Sequence, residues 1–141
     1  WQEAPACYLA ALATPYGTGC PSGNPVTMSA VTRPIVGTTC TLNTANFPVS
    51  TIAALALLGI NSAATDLTGI GMTGCTLLHD NLLPFLPTAL PSGDTSIAVP
   101  LDPSLVGATL KMQGAIIDAA FTVNPLGVAL SNAMSLTIGT F

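Results

Sequence analysis

Between Leu110 and Ile138 the chain reads LKMQGAIIDAAFTVNPLGVALSNAMSLTI, and both halves of this stretch alternate with a period of two. Val128, Leu130, Met134, Leu136 and Ile138 fall on one parity, and Ala129, Ser131, Ala133, Ser135 and Thr137 on the other. Leu110, Met112 and Ile116 alternate in the same way with Lys111 and Gln113. Such a period belongs to a strand with one buried and one polar face, because successive side chains leave a pleated backbone in opposite directions. Asn124-Pro125-Leu126-Gly127 divides the two runs and carries turn-setting residues. The expectation is a long two-stranded element whose apolar face must be covered by another sheet.

Shorter strand signals precede it. Val26 to Val31 and Cys40 to Phe47 alternate, and Pro48 ends the second because proline cannot donate to a ladder. Residues 52–60, IAALALLGI, are the longest apolar run and suit a central strand buried on both faces. Cys75 to His79 and Thr95 to Val99 read as strands, and residues 85–90, bracketed by Pro84 and Pro91, as an edge or irregular one. Residues 61–74 are a connection of small residues with room for a short strand. Asp102-Pro103-Ser104-Leu105-Val106-Gly107 has a capping Asp, a proline suited to the first helical position and a stopping glycine, hence one helical turn. Strands at this spacing predict an all-β fold: an antiparallel β-sandwich, jelly-roll or Ig-like, of about eight to nine strands. Two segments are expected, an N-terminal arm and tied loop over 1–24 and the sandwich over 25–141.

Charge decides which partners are excluded. Charged residues are 6% of the chain, against roughly a quarter in ordinary soluble proteins. Arg33 and Lys111 alone cannot build a basic patch, so phosphate-neutralising binding of nucleic acid is excluded. No apolar run approaches the roughly 20 residues of a spanning helix. The chain begins with Trp1 rather than Met, which is expected of a mature form after signal cleavage or of a fragment.

Four cysteines, Cys7, Cys20, Cys40 and Cys75, show no CxxC spacing. An even count in a Gly/Pro/Thr-rich chain suggests two disulfides and an oxidising compartment. Three pairings can be written; Cys7–Cys20 with Cys40–Cys75 is favoured, the first closing a short loop and the second joining two strands.

Several segments together carry a resemblance. Tyr16-Gly17-Thr18-Gly19-Cys20-Pro21, Leu57-Leu58-Gly59 and Gly74-Cys75-Thr76-Leu77-Leu78 are followed by the run 101–110, LDPSLVGATL, with Gln113. Asn124-Pro125-Leu126-Gly127, Leu130-Ser131-Asn132-Ala133 and Leu136-Thr137-Ile138-Gly139 complete the series. This pattern resembles an all-β domain of secreted proteins of planctomycete-type and myxobacterial-type bacteria, often found at the C-terminus of longer chains. The resemblance implies export and an all-β module, and carries no catalytic residues.

Residues with catalytic chemistry are scarce. His79 is the one histidine, and Asp80, its neighbour on a strand, points to the opposite face, so the two do not form a triad. No G-x-S-x-G elbow is present. Asp94-Thr95-Ser96 lacks the glycine of an aspartic-protease triplet and sits in a turn. Asp66, Asp80, Asp94, Asp102 and Asp118 fall mostly at loop or strand ends, without the D-x-D-x-D-G loop of a calcium site. Asn132 falls on an apolar parity, where its amide must be hydrogen-bonded, as a structural clamp. The expectation is a non-enzymatic extracellular structural protein without cofactor or metal. It would self-assemble through sheet faces or edges into a filament, coat or other homo-oligomer. Trp1, Tyr8, Leu9 and Leu12, in an arm over 1–13, are candidates for exchange between subunits. The alternative is an extracellular carbohydrate-binding or adhesion module with glycans as partners and Trp1, Tyr8 and Tyr16 as its aromatic candidates.

Overall fold

The computed structural model describes residues 9–20, 23–72, 74–80 and 83–141. Among these the strands are β1 (Leu12–Tyr16), β2 (Thr27–Ala30), β3 (Thr39–Ala45), β4 (Thr51–Gly59), β5 (Ser62–Asp66), β6 (Thr76–His79), β7 (Leu83–Pro87), β8 (Asp94–Ala98), β9 (Thr109–Asp118) and β10 (Val128–Thr137). They form a five-stranded sheet in the order β1-β10-β9-β4-β7, a three-stranded sheet β2-β3-β8 and a two-stranded sheet β5-β6. All ladders are antiparallel, and the arrangement is that of a sandwich. The capped turn is a single 3-10 turn, Pro103–Leu105, with the Asp102 carboxylate accepting from the Ser104 N–H at 3.0 Å.

The expected long pair is β9 and β10, and it is the centre of the molecule. Asn124 closes the connection: its Oδ1 accepts from the Gly127 N–H at 2.8 Å, and its Nδ2 donates to the Val128 carbonyl at 2.5 Å. The single-face alternation does not survive, however. Leu130 pairs with Ala115 but Ala133 pairs with Gln113, so β10 spends one more residue than β9 across this step. An extra residue exchanges the two faces of every residue beyond it. Met134 and Leu136 therefore share a face with Met112, whereas Val128 and Leu130 share the opposite face with Ala115.

Both faces are covered. On one, Met28, Cys40 and Leu42 of the three-stranded sheet pack with Ala56, Leu58, Met112, Met134 and Leu136. On the other, Met72 and Cys75 pack with Ala115 and Leu130, beneath the β5–β6 pair. Gly114 lets β9 lie close to β3, since an added Cβ would be 2.8 Å from the Thr44 Oγ1.

Two side-chain amides stitch the layers. Asn132 accepts from the Met28 N–H at 2.8 Å and donates to the Met28 carbonyl at 3.0 Å, standing in for a strand partner of β2. That is the clamp expected of it. Gln113, fully buried, accepts from the Leu78 N–H at 3.0 Å and donates to the carbonyls of Thr76 and Ser131 at 2.9 and 2.8 Å. It joins β6 to the centre of the main sheet.

Three expectations change. The disulfide is Cys20–Cys75, with Cα atoms 5.2 Å apart, and not Cys7–Cys20 with Cys40–Cys75. Cys20 donates its backbone N–H to Leu130 O, and Cys75 leads into β6 above the same sheet, so the tie fastens the two-stranded layer to β10. Cys40 is a buried free thiol, and Cys7 lies outside the described residues. Residues 12–16, read as part of an arm and loop before the sandwich, are its edge strand β1, in register with β10 from Leu12↔Thr137 to Tyr16↔Ala133. Finally, residues 52–60 are not buried throughout, because Ile52 at the start of β4 is exposed.

Candidate assembly surfaces

The groups with catalytic potential hold the fold. His79 is buried, and its Nε2 bonds the Leu57 carbonyl at 3.1 Å; burial pushes its pKa below the ordinary value. Asp80 accepts from the Ile60 N–H at 2.9 Å and from the Asn61 N–H and side-chain amide at 3.1 and 3.0 Å, so it clamps the turn after β4. Asp66 accepts from the Thr68 N–H and hydroxyl, Asp102 from those of Ser104, and Asp94 from the Asn43 amide. Among the described residues no three His, Cys, Asp or Glu side chains gather as a metal site would require.

Asp118 is the most elaborately held charge. Its carboxylate is buried at the end of β9 and accepts from the Ser50 hydroxyl, the Thr122 hydroxyl and N–H, and the N–H groups of Ala120 and Val123. The hydroxyls of Ser50 and Thr122, followed by the backbone donors, hold its pKa well below the carboxylate range. Sequence reading placed Asp118 at a strand end and did not find this cage. The local signal was Asp118 with Thr122 four residues on; the third element, Ser50, comes from a distant turn.

Both cations are engaged. Arg33 donates to the carbonyls of Ala11 and Phe141 at 3.4 and 3.3 Å. Lys111 donates to the Ser135 hydroxyl at 2.6 Å and stands 5.9 Å from the centroid of the Tyr16 ring. Tyr16 donates its hydroxyl to the Leu78 carbonyl at 2.7 Å. Its ring is half-buried and forms part of the β1–β10 edge.

The arm reading divides at residue 9. Trp1 and Tyr8 lie outside the described residues. Leu9 accepts at its carbonyl from the Thr140 N–H at 2.7 Å, and Ala11 donates to Phe141 O at 2.8 Å. Leu12 opens β1. Residues 9–13 are therefore packed on their own chain and are not an exchanged segment, although the side chains of Leu9 and Leu12 remain exposed.

Exposed apolar side chains gather at the two ends of β9 and β10. At the β9 C-terminal end, Ile117, Phe121 and Leu126 surround the connection to β10. A bond from Ala119 N–H to Ser50 O brings Val49 and Ile52 to the same end. Phe121 is 61% exposed although it belongs to a type that proteins normally bury. At the opposite end, Gly107 donates to Ile138 O and Gly37 to Val99 O. Leu101, Phe141, Leu9 and Leu12 are exposed apolar residues there, Leu101 at 81%. Between the sheets at this second end lies an apolar cavity of about 330 Å³ whose walls include Cys40, Leu105, Leu136 and Ile138.

The outer edges of the main sheet are different. Pro15 lies in β1, and Pro84 and Pro87 in β7. Proline withholds a donor from an incoming strand and discourages edge-to-edge growth.

The chain matches no protein-family model, no curated protein and no solved structure. The surfaces just described therefore carry the functional argument.

Proposed function

We propose that the protein is a non-enzymatic extracellular structural subunit that associates end to end, building a filament or other homo-oligomer. The observation that carries this reading is the pair of unlike apolar ends, Phe121 with Ile117 and Leu126 at one, Leu101 with Phe141 at the other. A contact between two different patches is heterologous, and where its rotation does not close it propagates. Few charges oppose such contacts, since eight charged residues serve the whole chain. The prolines of β1 and β7 direct association towards the ends rather than the edges of the main sheet. The Cys20–Cys75 disulfide fits an oxidising, extracellular setting, and export is also what the sequence resemblance implies.

A carbohydrate-binding module would present an exposed aromatic strip. Its described candidate, Tyr16, is half-buried with its hydroxyl spent on Leu78, and this favours assembly over glycan binding. Static light scattering over a range of concentration, followed by electron microscopy, tests the proposal. Mass growing with concentration and rods one subunit wide are expected. Monodisperse monomer at high concentration overturns it.

A further inference from the structure

The two ends differ in shape as well as in composition: one presents an exposed ring, the other an apolar cavity. We propose that the Phe121 side chain of one subunit inserts into the cavity at the opposite end of a second copy of this chain. The inference rests on the end-to-end reading and names its contact.

Phe121 is held out by the chain around it. Its φ is 55°, a conformation that bulky residues rarely adopt. The Asp118 carboxylate draws the N–H groups of Ala120, Thr122 and Val123 to itself at 3.0, 2.6 and 3.3 Å, and the Phe121 N–H donates to the Asp118 carbonyl at 3.2 Å. One edge of the ring rests on Gly127, where an added Cβ would lie 2.9 Å from its Cδ1, yet the residue is 61% exposed. Strain of this kind gathers at contact sites, because folding alone does not reward it.

The cavity suits a ring. Its volume is about 330 Å³, and roughly 150 Å³ of apolar space suffices for benzene. Leu105, Leu110, Leu136 and Ile138 offer it hydrocarbon, and the Cys40 thiol in the wall is spent on the Thr32 carbonyl at 3.5 Å. Exposed Ala108 and Pro100 mark the mouth, and Pro100 precedes Leu101.

Charge favours the meeting of unlike ends. Both cations lie in the half that holds the cavity: Arg33 beside the wall residue Pro34, and Lys111 beside Leu110. Asp80 and Asp102 share that half, Asp80 at the turn after β4 and Asp102 just past Pro100. The other half holds Asp118 at the end of β9, Asp94 at the start of β8, and Asp66 at the end of β5 that leads to Gly71 and Leu126. Two Phe121 ends would bring carboxylates together with no cation from the described residues between them. A Phe121 end set on a cavity end meets Arg33 instead.

The test places the photoreactive p-benzoylphenylalanine at position 121 of the full chain. Irradiation at concentrations where wild type assembles, then digestion and mass spectrometry of the covalent dimer, identifies the neighbour. Adducts on residues 97–110 or 134–138 are expected. Dimers linked elsewhere, or adducts confined to single chains, while mass still grows with concentration, overturn the inserted ring and leave self-assembly standing. Wild-type mass that does not grow with concentration overturns both. Phe121→Gly and Ala108→Trp separate docking from folding. Phe121→Gly relieves the positive φ, which offsets the freedom it adds to the unfolded chain, so its melting temperature should stay near that of wild type. Its association should weaken ~30-fold or more, as for a buried aromatic anchor. Ala108→Trp, at the exposed mouth, should weaken association by a similar factor without touching the ring. Either variant associating as wild type overturns the proposal.

Discussion

Gln113 and Asp118 show how much of this fold rests on single polar groups. Gln113 spends its whole amide on backbone groups of β6 and β10. Gln113→Leu keeps the volume but leaves the Leu78 N–H and two carbonyls without their partner. The expected loss is about 3 kcal/mol, read as a lower urea midpoint at unchanged slope. Asp118 ties stability to pH. Its folded pKa lies below the unfolded one, so its contribution is complete above about pH 4 and is lost as pH falls towards the folded value. Asp118→Asn should lower the melting temperature at neutral pH and flatten its fall below pH 4. The remaining slope would come from Asp66 and Asp102, whose Thr68 and Ser104 partners also lower their pKa values. His79 acts in a higher window. Burial lowers its folded pKa, so its contribution is present above about pH 6.5 and is lost as pH falls through that range. Melting curves of wild type and His79→Gln between pH 8 and 5 should separate this limb from the carboxylate one.

At the level of elements, strand positions were largely legible. The runs 26–31, 40–47, 52–60, 75–79 and 95–99 correspond to β2, β3, β4, β6 and β8, and the run 85–90 overlaps the edge strand β7, which begins earlier, at Leu83, and ends at Pro87. Their partners and faces were less so. The bulge near Ser131 has a physical cause that composition does not announce: the Ser131 hydroxyl accepts from the Gly114 N–H at 2.8 Å and donates to the Asn132 carbonyl at 2.6 Å, filling gaps in the ladder. Cysteine pairing failed for a similar reason. Cys7–Cys20 was favoured for its short loop, but pairing follows which cysteines the fold brings together, and Cys20–Cys75 closes across 55 residues. The double change Cys20→Ser, Cys75→Ser should cost about 4 kcal/mol by the loop-entropy relation, measured by denaturant titration at constant pH.

The whole molecule offers two unlike ends, and end-to-end growth makes a prediction that a symmetric dimer does not. Phe121→Lys disables one end and Leu101→Lys the other; both positions are exposed, so melting temperatures should move by little. Each variant alone should stay monomeric. Mixed in equal amounts they should form dimers and nothing longer, because each keeps the end the other has lost. Sedimentation velocity reads this directly, and variants that assemble as wild type would remove these patches from the interface.

The sequence by itself determined the class of structure. Period-two patterning, turn residues and proline stops are local properties, and they pointed to an antiparallel all-β chain with a long two-stranded element within 110–138, which the structure shows as β9 and β10. Composition determined how little charge the surface would carry. Tertiary structure alone decided which faces are buried, because one extra residue in β10 exchanges them. It also decided which cysteines meet, since layers far apart in sequence bring Cys20 to Cys75. The two apolar ends belong to the same category. Ile117, Phe121 and Leu126 are local to one connection, but Val49 and Ile52 reach them, and Leu101 reaches the end that holds Phe141, only when the sandwich closes.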